Sequence, residues 1–182
     1  MARRPPRLTG FDYARPGAYF VTICTHGRAC LLSEVRDFQV RKTQIGEVVS
    51  ECWLELPSSY SFVELDVFIV MPNHFHGILW IGEENLGKKS LGQIIASFKA
   101  RSASRILKEG LTAHKVWQSD FFEHIVRTEK DLIRIREYIA NNPENWANDH
   151  NNPSYSGGYI SPFEKYENVM PTSWLRPKSS PR

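Results

Sequence analysis

The stretch Met71-Pro72-Asn73-His74-Phe75-His76-Gly77-Ile78-Leu79-Trp80 places two histidines one residue apart at the start of a strongly apolar run. Such a run predicts a β-strand, and side chains at i and i+2 of a strand project from the same face. His74 and His76 are therefore expected to lie side by side. Burying both imidazoles beside Ile78 and Trp80 without partners would cost free energy. The pair predicts half of a metal site, with two ordinary hydrogen-bonded histidines as the alternative, and a third ligand must come from elsewhere in the chain.

Hydrophobic periodicity predicts the elements on either side of this strand. Strands are predicted at 18–25, 62–70, 74–81 and 121–126, and Met71-Pro72-Asn73 is predicted to be a tight connection between the second and third. Helices are predicted at 39–56, ended by Pro57; from an N-cap at Ser90 to a stop at Gly110; and from a capping box at 128–131 to Pro143. The order predicts an α+β fold: a ferredoxin-like (βαββαβ) antiparallel sheet with helices on one face plus a C-terminal helix carrying a tyrosine. The first and third strands of that fold are central, so the histidine pair is expected to lie mid-sheet.

The bulk composition is that of one soluble domain. The chain has 182 residues, of which 41% are hydrophobic and 24% charged, and no apolar run approaches the ~20 residues of a membrane span. The basic N-terminus lacks the apolar segment of a secretory signal, and the three cysteines form no CxxC pair. These features predict a cytoplasmic protein with reduced thiols. We divide the chain into a basic, proline-rich arm (1–16), a main domain (17–147) and an irregular tail (148–182).

A second segment, Glu137-Tyr138-Ile139-Ala140-Asn141-Asn142-Pro143, places a tyrosine and an asparagine four residues apart. On a helix these two side chains share a face. Spacing alone nevertheless favours structural roles, with Tyr138 a boundary aromatic and Asn142 a polar residue that ends the helix before Pro143. A phenol with a pKa of about 10 is a weak nucleophile at neutral pH. A Lewis acid on a target phosphate would lower the barrier to its attack. The histidine pair and the tyrosine together indicate a metal-assisted reaction with tyrosine as nucleophile.

These motifs resemble a known family. The sequences MPNHFHGI, SFKA, VWQ, FFEHIVR and YIANNP, following a Tyr19-Phe20-Val21-Thr22 strand, are similar in order and spacing to the single-tyrosine HUH transposases (transposase IS200-like). More narrowly, the chain resembles the REP-associated tyrosine transposases over roughly residues 15–147. The resemblance implies cleavage and rejoining of single-stranded DNA. Rejoining would need no nucleotide as an energy source, because the covalent intermediate conserves the energy of the phosphodiester bond. The absence of a GxxxxGK[ST] phosphate-binding loop agrees with this.

The resemblance also implies a role for each site residue. Tyr138 would attack a scissile phosphate to form a 5′-phosphotyrosine, and His74, His76 and Asn142 would hold a divalent metal. Phe75, between the histidines, is expected to face the other side of the sheet. The family points to Mg²⁺ or Mn²⁺, whereas two imidazoles and an amide suit softer transition metals. Mn²⁺ agrees best with both the family and the ligand chemistry, and Zn²⁺ is the other metal that the sequence allows.

The resemblance implies hairpin DNA with an adjacent single-stranded guide (REP-like palindromes) as the partner. Basic residues neutralise phosphates and aromatic residues stack unpaired bases. The candidate DNA contacts are Arg3, Arg4, Arg7, Lys99, Arg101, Trp117, His124 and Arg127. Trp117 has a place in the core as its alternative role, and for His124 a structural or phosphate contact is favoured over metal ligation. With such a partner, the protein is expected to associate with the nucleoid.

Two other functions remain open at this point. The first is a domesticated hairpin-binding protein with little cleavage activity, although such a binder has no need of the full set of four site residues. The second is an unrelated H-x-H metal hydrolase acting on small molecules, for which no further His or Asp ligands are evident. The sequence does not decide between a monomer and a homodimer.

Overall fold

The computed structural model describes residues 10–86 and 88–156 of the chain. Within these residues the strands and α-helices follow in the order β1 (Gly17–Cys24), β2 (Ser33–Arg36), β3 (Gln39–Lys42), α1 (Gln44–Leu54), α2 (Leu56–Ser59), β4 (Val63–Val70), β5 (His74–Ile81), α3 (Leu91–Lys108), β6 (Phe122–Val126) and α4 (Glu129–Ala140). Short 3-10 turns lie at His26–Arg28, Glu83–Asn85 and Trp146–Asn148.

The main sheet has four antiparallel strands in the order β4-β5-β1-β6. The first and third of the four core strands, β1 and β5, are therefore central, as the ferredoxin-like prediction requires. They pair along their full length, from Gly17 opposite Ile81 to Cys24 opposite His74. The Met71-Pro72-Asn73 segment connects β4 to β5, and the Met71 amide donates to the carbonyl of His74 at 2.8 Å. The predicted α+β sheet and the central position of the histidine strand are confirmed.

The two faces of the sheet bury different sets of side chains. Alternate residues of β1 and β5, such as Val21 and Phe75, join the larger core with α1 and α3. The other face carries a smaller cluster in which Phe20 and Ile78 pack against Ile135 and neighbouring residues of α4. Phe75 therefore faces the side opposite to the α4 cluster, as expected. Helix α4 covers the face on which the two histidines lie.

A fork of hydrogen bonds ties α4 to the edge of the sheet. The Arg136 guanidinium donates to both carboxylate oxygens of Asp66 on β4, at 3.0 and 2.6 Å. This bidentate pairing lowers the pKa of Asp66, and such pairs are among the stronger polar contacts. The indole of Trp80 on β5 donates to the same carboxylate at 3.4 Å. These contacts hold the helix that carries Tyr138 over the face of the histidine pair.

The helix ends follow the capping signals in the sequence. Ser90 caps α3, and Ser90 and Gln93 form a full capping box; Gly110, just beyond the helix, adopts a φ of 69°. Thr128 caps α4 by accepting from the Asp131 amide, but the Asp131 carboxylate binds the Arg127 amide instead of returning to the cap. The predicted box at 128–131 is thus only half formed.

Residues 39–42, predicted as the start of a helix, are a strand. They pair with Ser33–Arg36 in a separate two-stranded hairpin, and α1 begins only at Gln44, where the Thr43 side chain accepts from the Gly46 amide. The helical prediction was wrong there because the hydrophobic period starts at Ile45. Pro57 does not end α1 either: α1 ends at Leu54, and Pro57 lies in the first turn of the short α2.

Only the second part of the predicted N-terminal arm, from residue 10 onward, belongs to the described residues. Residues 1–9, with the predicted arm arginines, lie outside them. Residues 10–16, which we assigned to the arm, pack on the body of the domain: Ala14 is buried and Phe11 and Tyr13 contact the larger core. The Tyr13 carbonyl accepts from the Leu91 amide at 2.8 Å. In the described part of the chain, no helix has the length and apolar character needed to cross a membrane.

Candidate metal and nucleophile site

His74 and His76 meet Tyr138 on the α4 face of the sheet. The two imidazole ring centroids lie 4.6 Å apart, and the Tyr138 ring centroid lies 5.2 Å from that of His76. The Tyr138 hydroxyl oxygen is 3.3 Å from Nε2 of His76. Phe20 stacks on His76 and meets Tyr138 edge-on, with centroid distances of 5.4 and 6.1 Å. The sheet and α4 thus bring together residues more than sixty positions apart in sequence.

The hydrogen bonds of Asn73 define the tautomer of His74. The Asn73 amide nitrogen donates to the backbone carbonyls of Arg28 (3.0 Å) and Asn151 (2.6 Å). Its amide oxygen must then be the atom that lies 3.0 Å from Nδ1 of His74. Because an amide oxygen only accepts, Nδ1 carries the proton and Nε2 carries the lone pair. That Nε2 is buried and has no hydrogen-bond partner among the described residues.

His76 is oriented by a hydroxyl on the neighbouring strand. Thr22, opposite His76 in the β1–β5 ladder, places Oγ1 2.8 Å from Nδ1 of the imidazole. This contact directs Nε2 away from the sheet toward Tyr138. Such partners of the second ring nitrogen set the tautomer and direction of metal-binding histidines.

The buried polar atoms around the pair fit a cation. The side-chain oxygen of Asn142 is buried and, like Nε2 of His74, lacks a hydrogen-bond partner among the described residues. Buried polar atoms are normally satisfied, so two that are not, at adjoining positions, call for a ligand. Two imidazole nitrogens and an amide oxygen could hold a divalent metal. No group of three His, Cys, Asp or Glu side chains in the described part of the chain is arranged to hold one as it stands, so the buried amide oxygen of Asn142 is the first candidate for a third ligand.

Both histidines are neutral at pH 7. Burial lowers the pKa of His74 to about 4, although Asp149 and Asn142 act in the opposite direction. Burial, and then the neighbouring His74, hold the pKa of His76 well below its usual value of 6.5. Metal ligation requires unprotonated imidazole, so these surroundings keep both side chains in the form that a metal needs.

A family model described as "Transposase IS200 like" matches residues 29–142, which include the β2–β3 hairpin, strands β4, β5 and β6 of the main sheet, the histidine pair and Tyr138. The chain belongs to the IS200-like transposase family. The matched range includes the MPNHFHGI and YIAN segments on which the resemblance was based.

Relatives of this IS200-like transposase agree with the assignment. An uncharacterised protein of Haemophilus influenzae is 35% identical over 165 residues, covering 81% of this chain and 91% of that protein. A second H. influenzae protein, whose name places it among the REP-associated tyrosine transposases, is 26% identical over 143 residues, covering 72% and 73%. The fold is similar to that of a REP-associated tyrosine transposase solved with a REP hairpin, with a TM-score of 0.52 and 19% identity over 79% of this chain and 73% of that one.

Three predicted DNA contacts have intramolecular partners in this transposase. Lys99 donates to the backbone carbonyls of residues 118 and 119, at 2.5 and 2.9 Å. Trp117 is 3% exposed, and its indole donates to the Ser102 hydroxyl at 2.9 Å. His124 is buried, with Nε2 2.9 Å from a carboxylate oxygen of Asp131. These placements favour structural roles for all three side chains.

Arg101 also has intramolecular partners but is partly exposed, whereas the other predicted contacts are exposed or lie outside the described residues. Arg101 donates to the Ser59 hydroxyl at 2.7 Å and pairs with Glu55 at 3.6 Å. Arg127 is exposed at the end of β6, so its guanidinium is accessible to a partner. The three N-terminal arginines, Arg3, Arg4 and Arg7, lie outside the described residues and stay predictions.

Sequence reasoning missed the residues that surround the pair. Thr22 and Asn73 orient the two imidazoles, and the Asp149 carboxylate approaches His74 to 3.7 Å. The ring of Trp146 lies 6.0 Å from that of His74. Only Asn73 had a usable signal, since it directly precedes His74 in the motif. Asp149 and Trp146 come from an Asn-rich stretch with no recognisable pattern.

Proposed function

We propose that this IS200-like transposase is a single-stranded DNA endonuclease and strand transferase that acts on hairpin DNA through a 5′-phosphotyrosine intermediate. The observation that carries the proposal is the meeting of Tyr138 and the histidine pair, with the hydroxyl 3.3 Å from Nε2 of His76. A nucleophile on a rigid helix beside a candidate cation site is the arrangement that phosphoryl transfer to a side chain needs.

In the proposed reaction, the Tyr138 oxygen attacks phosphorus and loses its proton. The bond from phosphorus to the 3′-oxygen breaks, and that oxygen leaves as a free 3′-hydroxyl after taking up a proton. The 5′ end stays linked to Tyr138 as a phosphodiester, so a second 3′-hydroxyl can reverse the attack and reseal the strand. No external energy source is required, because one phosphodiester is exchanged for another.

The chain's own residues prepare this step. Asn73 and Thr22 hold the two imidazoles in place, while Phe20 confines the Tyr138 ring from its edge. His74, His76 and Asn142 are the residues that would hold the metal, which we propose to be Mn²⁺ or Mg²⁺. A divalent cation bound there would draw charge from the oxygens of the scissile phosphate.

Hairpin DNA as substrate is supported by the relatives. One relative is named as a REP-associated tyrosine transposase, and a protein of similar fold was solved bound to a REP hairpin. The formal net charge of +3 is too small for general polyanion binding. We therefore propose that this protein meets DNA through local contacts, with exposed Arg127 and the N-terminal arginines as candidates.

The deciding experiment is a covalent-adduct assay with end-labelled single-stranded hairpins from the flanks of the gene. Wild type, Tyr138→Phe and Tyr60→Phe are incubated with Mn²⁺, Mg²⁺ or EDTA and then denatured. Tyr60→Phe is the matched control, because it also removes one phenol oxygen but lies after α2, outside the site. We expect a denaturation-resistant band in wild type and Tyr60→Phe that disappears in EDTA and in Tyr138→Phe.

The same assay separates the alternatives. An undiminished adduct in Tyr138→Phe would remove the tyrosine from the mechanism, and full cleavage in EDTA would remove the metal. Tight hairpin binding without an adduct under any metal would favour the DNA-binding protein with little cleavage activity. Metal-dependent ester hydrolysis that survives loss of Tyr138 would favour an unrelated hydrolase.

A further inference from the structure

The carboxylate of Asp149 lies beside the candidate cation site. Its Oδ2 is 3.7 Å from Nε2 of His74, and the two side chains are 10% and 0% exposed. This separation is too long for a hydrogen bond. The other carboxylate oxygen, Oδ1, accepts from the Asn151 backbone amide at 2.7 Å. That bond leaves Oδ2 turned toward the histidine.

The segment that carries Asp149 is fixed by the same residue that orients His74. The Asn151 carbonyl accepts from the Asn73 amide at 2.6 Å, and the Asn151 side-chain oxygen accepts from the Arg28 guanidinium. Asn151 itself is buried. Because Asn73 bonds both His74 and this segment, the position of the carboxylate relative to the imidazole is built into the fold.

We infer that Asp149 is a carboxylate ligand of the cation site formed by His74, His76 and Asn142, an inference that rests on the metal-dependent function proposed above. The hydrogen bonds of Asn73 turn the lone pair of His74 Nε2, not an N–H, into the site. The carboxylate oxygen faces that lone pair across 3.7 Å with no hydrogen bond between the two atoms, and a cation bound to both would join them. Two ligands held about 2.1 Å from an octahedral cation lie about 3 Å apart. A shift of less than 1 Å would therefore let both atoms bind one ion.

The carboxylate also changes which metal the site prefers. Two imidazoles and an amide suit softer transition metals, whereas carboxylate oxygen suits Mn²⁺ and Mg²⁺. Asp149 is thus the residue of this chain that makes the site suitable for a hard cation. The ligand class is a divalent cation with mixed nitrogen and oxygen coordination.

The test measures Mn²⁺ binding in the absence of DNA. Mn²⁺ is titrated into the protein, and the electron paramagnetic resonance signal reports the concentration of free Mn²⁺. The proteins are wild type, Asp149→Asn, His76→Ala and Glu144→Gln. Asp149→Asn preserves the oxygen that accepts from Asn151 and removes only the charge. Glu144→Gln is the matched control, since it removes a carboxylate from the exposed surface of the same segment. Circular dichroism verifies that each variant is folded.

We expect Asp149→Asn to weaken Mn²⁺ binding by at least about tenfold, the lower end of what loss of a supporting partner costs a metal site. Glu144→Gln should bind as wild type does. Competition with Zn²⁺ gives a second readout, because Asp149→Asn should lose Mn²⁺ affinity by a larger factor than Zn²⁺ affinity. Restored Mn²⁺ binding in Asp149→Glu would support the inference further.

Other outcomes overturn it. If His76→Ala loses Mn²⁺ while Asp149→Asn binds normally, Asp149 is not a ligand and the proposed function still stands. If Asp149→Asn binds Mn²⁺ normally and forms more covalent adduct, the carboxylate occupies the place of the substrate phosphate instead. If wild type binds no Mn²⁺, the metal-dependent function itself fails, and the inference fails with it.

Discussion

The folded chain should lose stability as the pH falls from 7 toward 4, because His74 is buried in its neutral form. Burial lowers its pKa to about 4 in the folded protein, compared with the usual 6.5, which the unfolded chain regains. Between these two values the unfolded chain binds a proton at this histidine and the folded chain does not. The free energy of unfolding therefore rises with pH in this window and falls on acidification.

The size of this loss follows from the separation of the two pKa values. At about 1.4 kcal/mol for each pH unit, the shift from 6.5 to about 4 corresponds to about 3 kcal/mol lost by pH 4. About 2 kcal/mol of it should be lost by pH 5. His76, whose pKa burial also lowers, adds in the same direction. The pKa of the Asp66 carboxyl, paired with Arg136, lies below its usual 3.8, so its own contribution to stability is lost mainly below this window.

Urea unfolding followed by tryptophan fluorescence at pH 7.5, 6.0 and 5.0 measures the effect. EDTA is present throughout, so that loss of bound metal does not add to the pH dependence. His74→Gln is the matched variant, because it keeps a polar side chain but cannot titrate. Wild type should lose clearly more stability than this variant between pH 7.5 and 5.0. Equal losses in the two proteins would show that His74 is not held neutral by burial.

Two glycine substitutions test close packing around the larger core. Gly46→Ala should destabilise the protein although alanine favours a helix by about 1 kcal/mol, because the new Cβ would stand 2.0 Å from the backbone oxygen of Leu32. A rise in the unfolding midpoint in urea would contradict this. Gly77→Ala should cost about 1–3 kcal/mol by overpacking, since its Cβ would lie 2.8 Å from the rings of Phe75 and Trp53. Thermal unfolding measures the change, and an unaltered melting temperature would show that the rings can move aside.

Most of the sheet could be predicted because its signals are local. The strand at His74–Ile81 has its predicted bounds, and the other three core strands begin within one residue of the predicted positions and end within one. These strands are continuous apolar runs, and their order follows from the order of elements along the chain. The α3 N-cap at Ser90 is likewise a short-range hydrogen-bond signal.

The β2–β3 hairpin could not be predicted because it lacks both usual signals. Its turn places Asp37 and Phe38 at φ values of 50° and 61°, where Asn-Gly or Asp-Gly is the ordinary choice. Its strands are largely exposed, with Ser33 the one buried residue among them, so the sequence shows no alternation of buried and exposed positions. A hairpin whose turn has an aromatic residue in the left-handed region of φ therefore has no sequence pattern that predicts it.

In the candidate site, too, the features with a local sequence signal could be predicted and those set by tertiary contacts could not. The i, i+2 spacing of His74 and His76 is a local signal, and the structure places both imidazoles on one face of β5, 4.6 Å apart. The helix predicted to reach Pro143 ends at Ala140, so Asn142 lies beyond the C-cap Asn141 and not on a shared helical face with Tyr138. Thr22 reaches His76 only because of the β1–β5 register, and register depends on the packing of the whole chain. Contacts of this kind are set by tertiary structure, which local periodicity does not encode.

The alternation His74–Phe75–His76 explains how a site with costly buried imidazoles can be held in place. Phe75, between the two histidines, is fully buried in the larger core, with its ring 4.7 Å from that of Trp53 and 5.6 Å from that of Phe98. Removing a phenyl ring from such a position typically costs about 3–5 kcal/mol. That packing energy offsets much of what the opposite face loses by burying two neutral histidines and an unpaired amide oxygen. One face of β5 therefore stabilises the strand, and the other face can bury the two imidazoles.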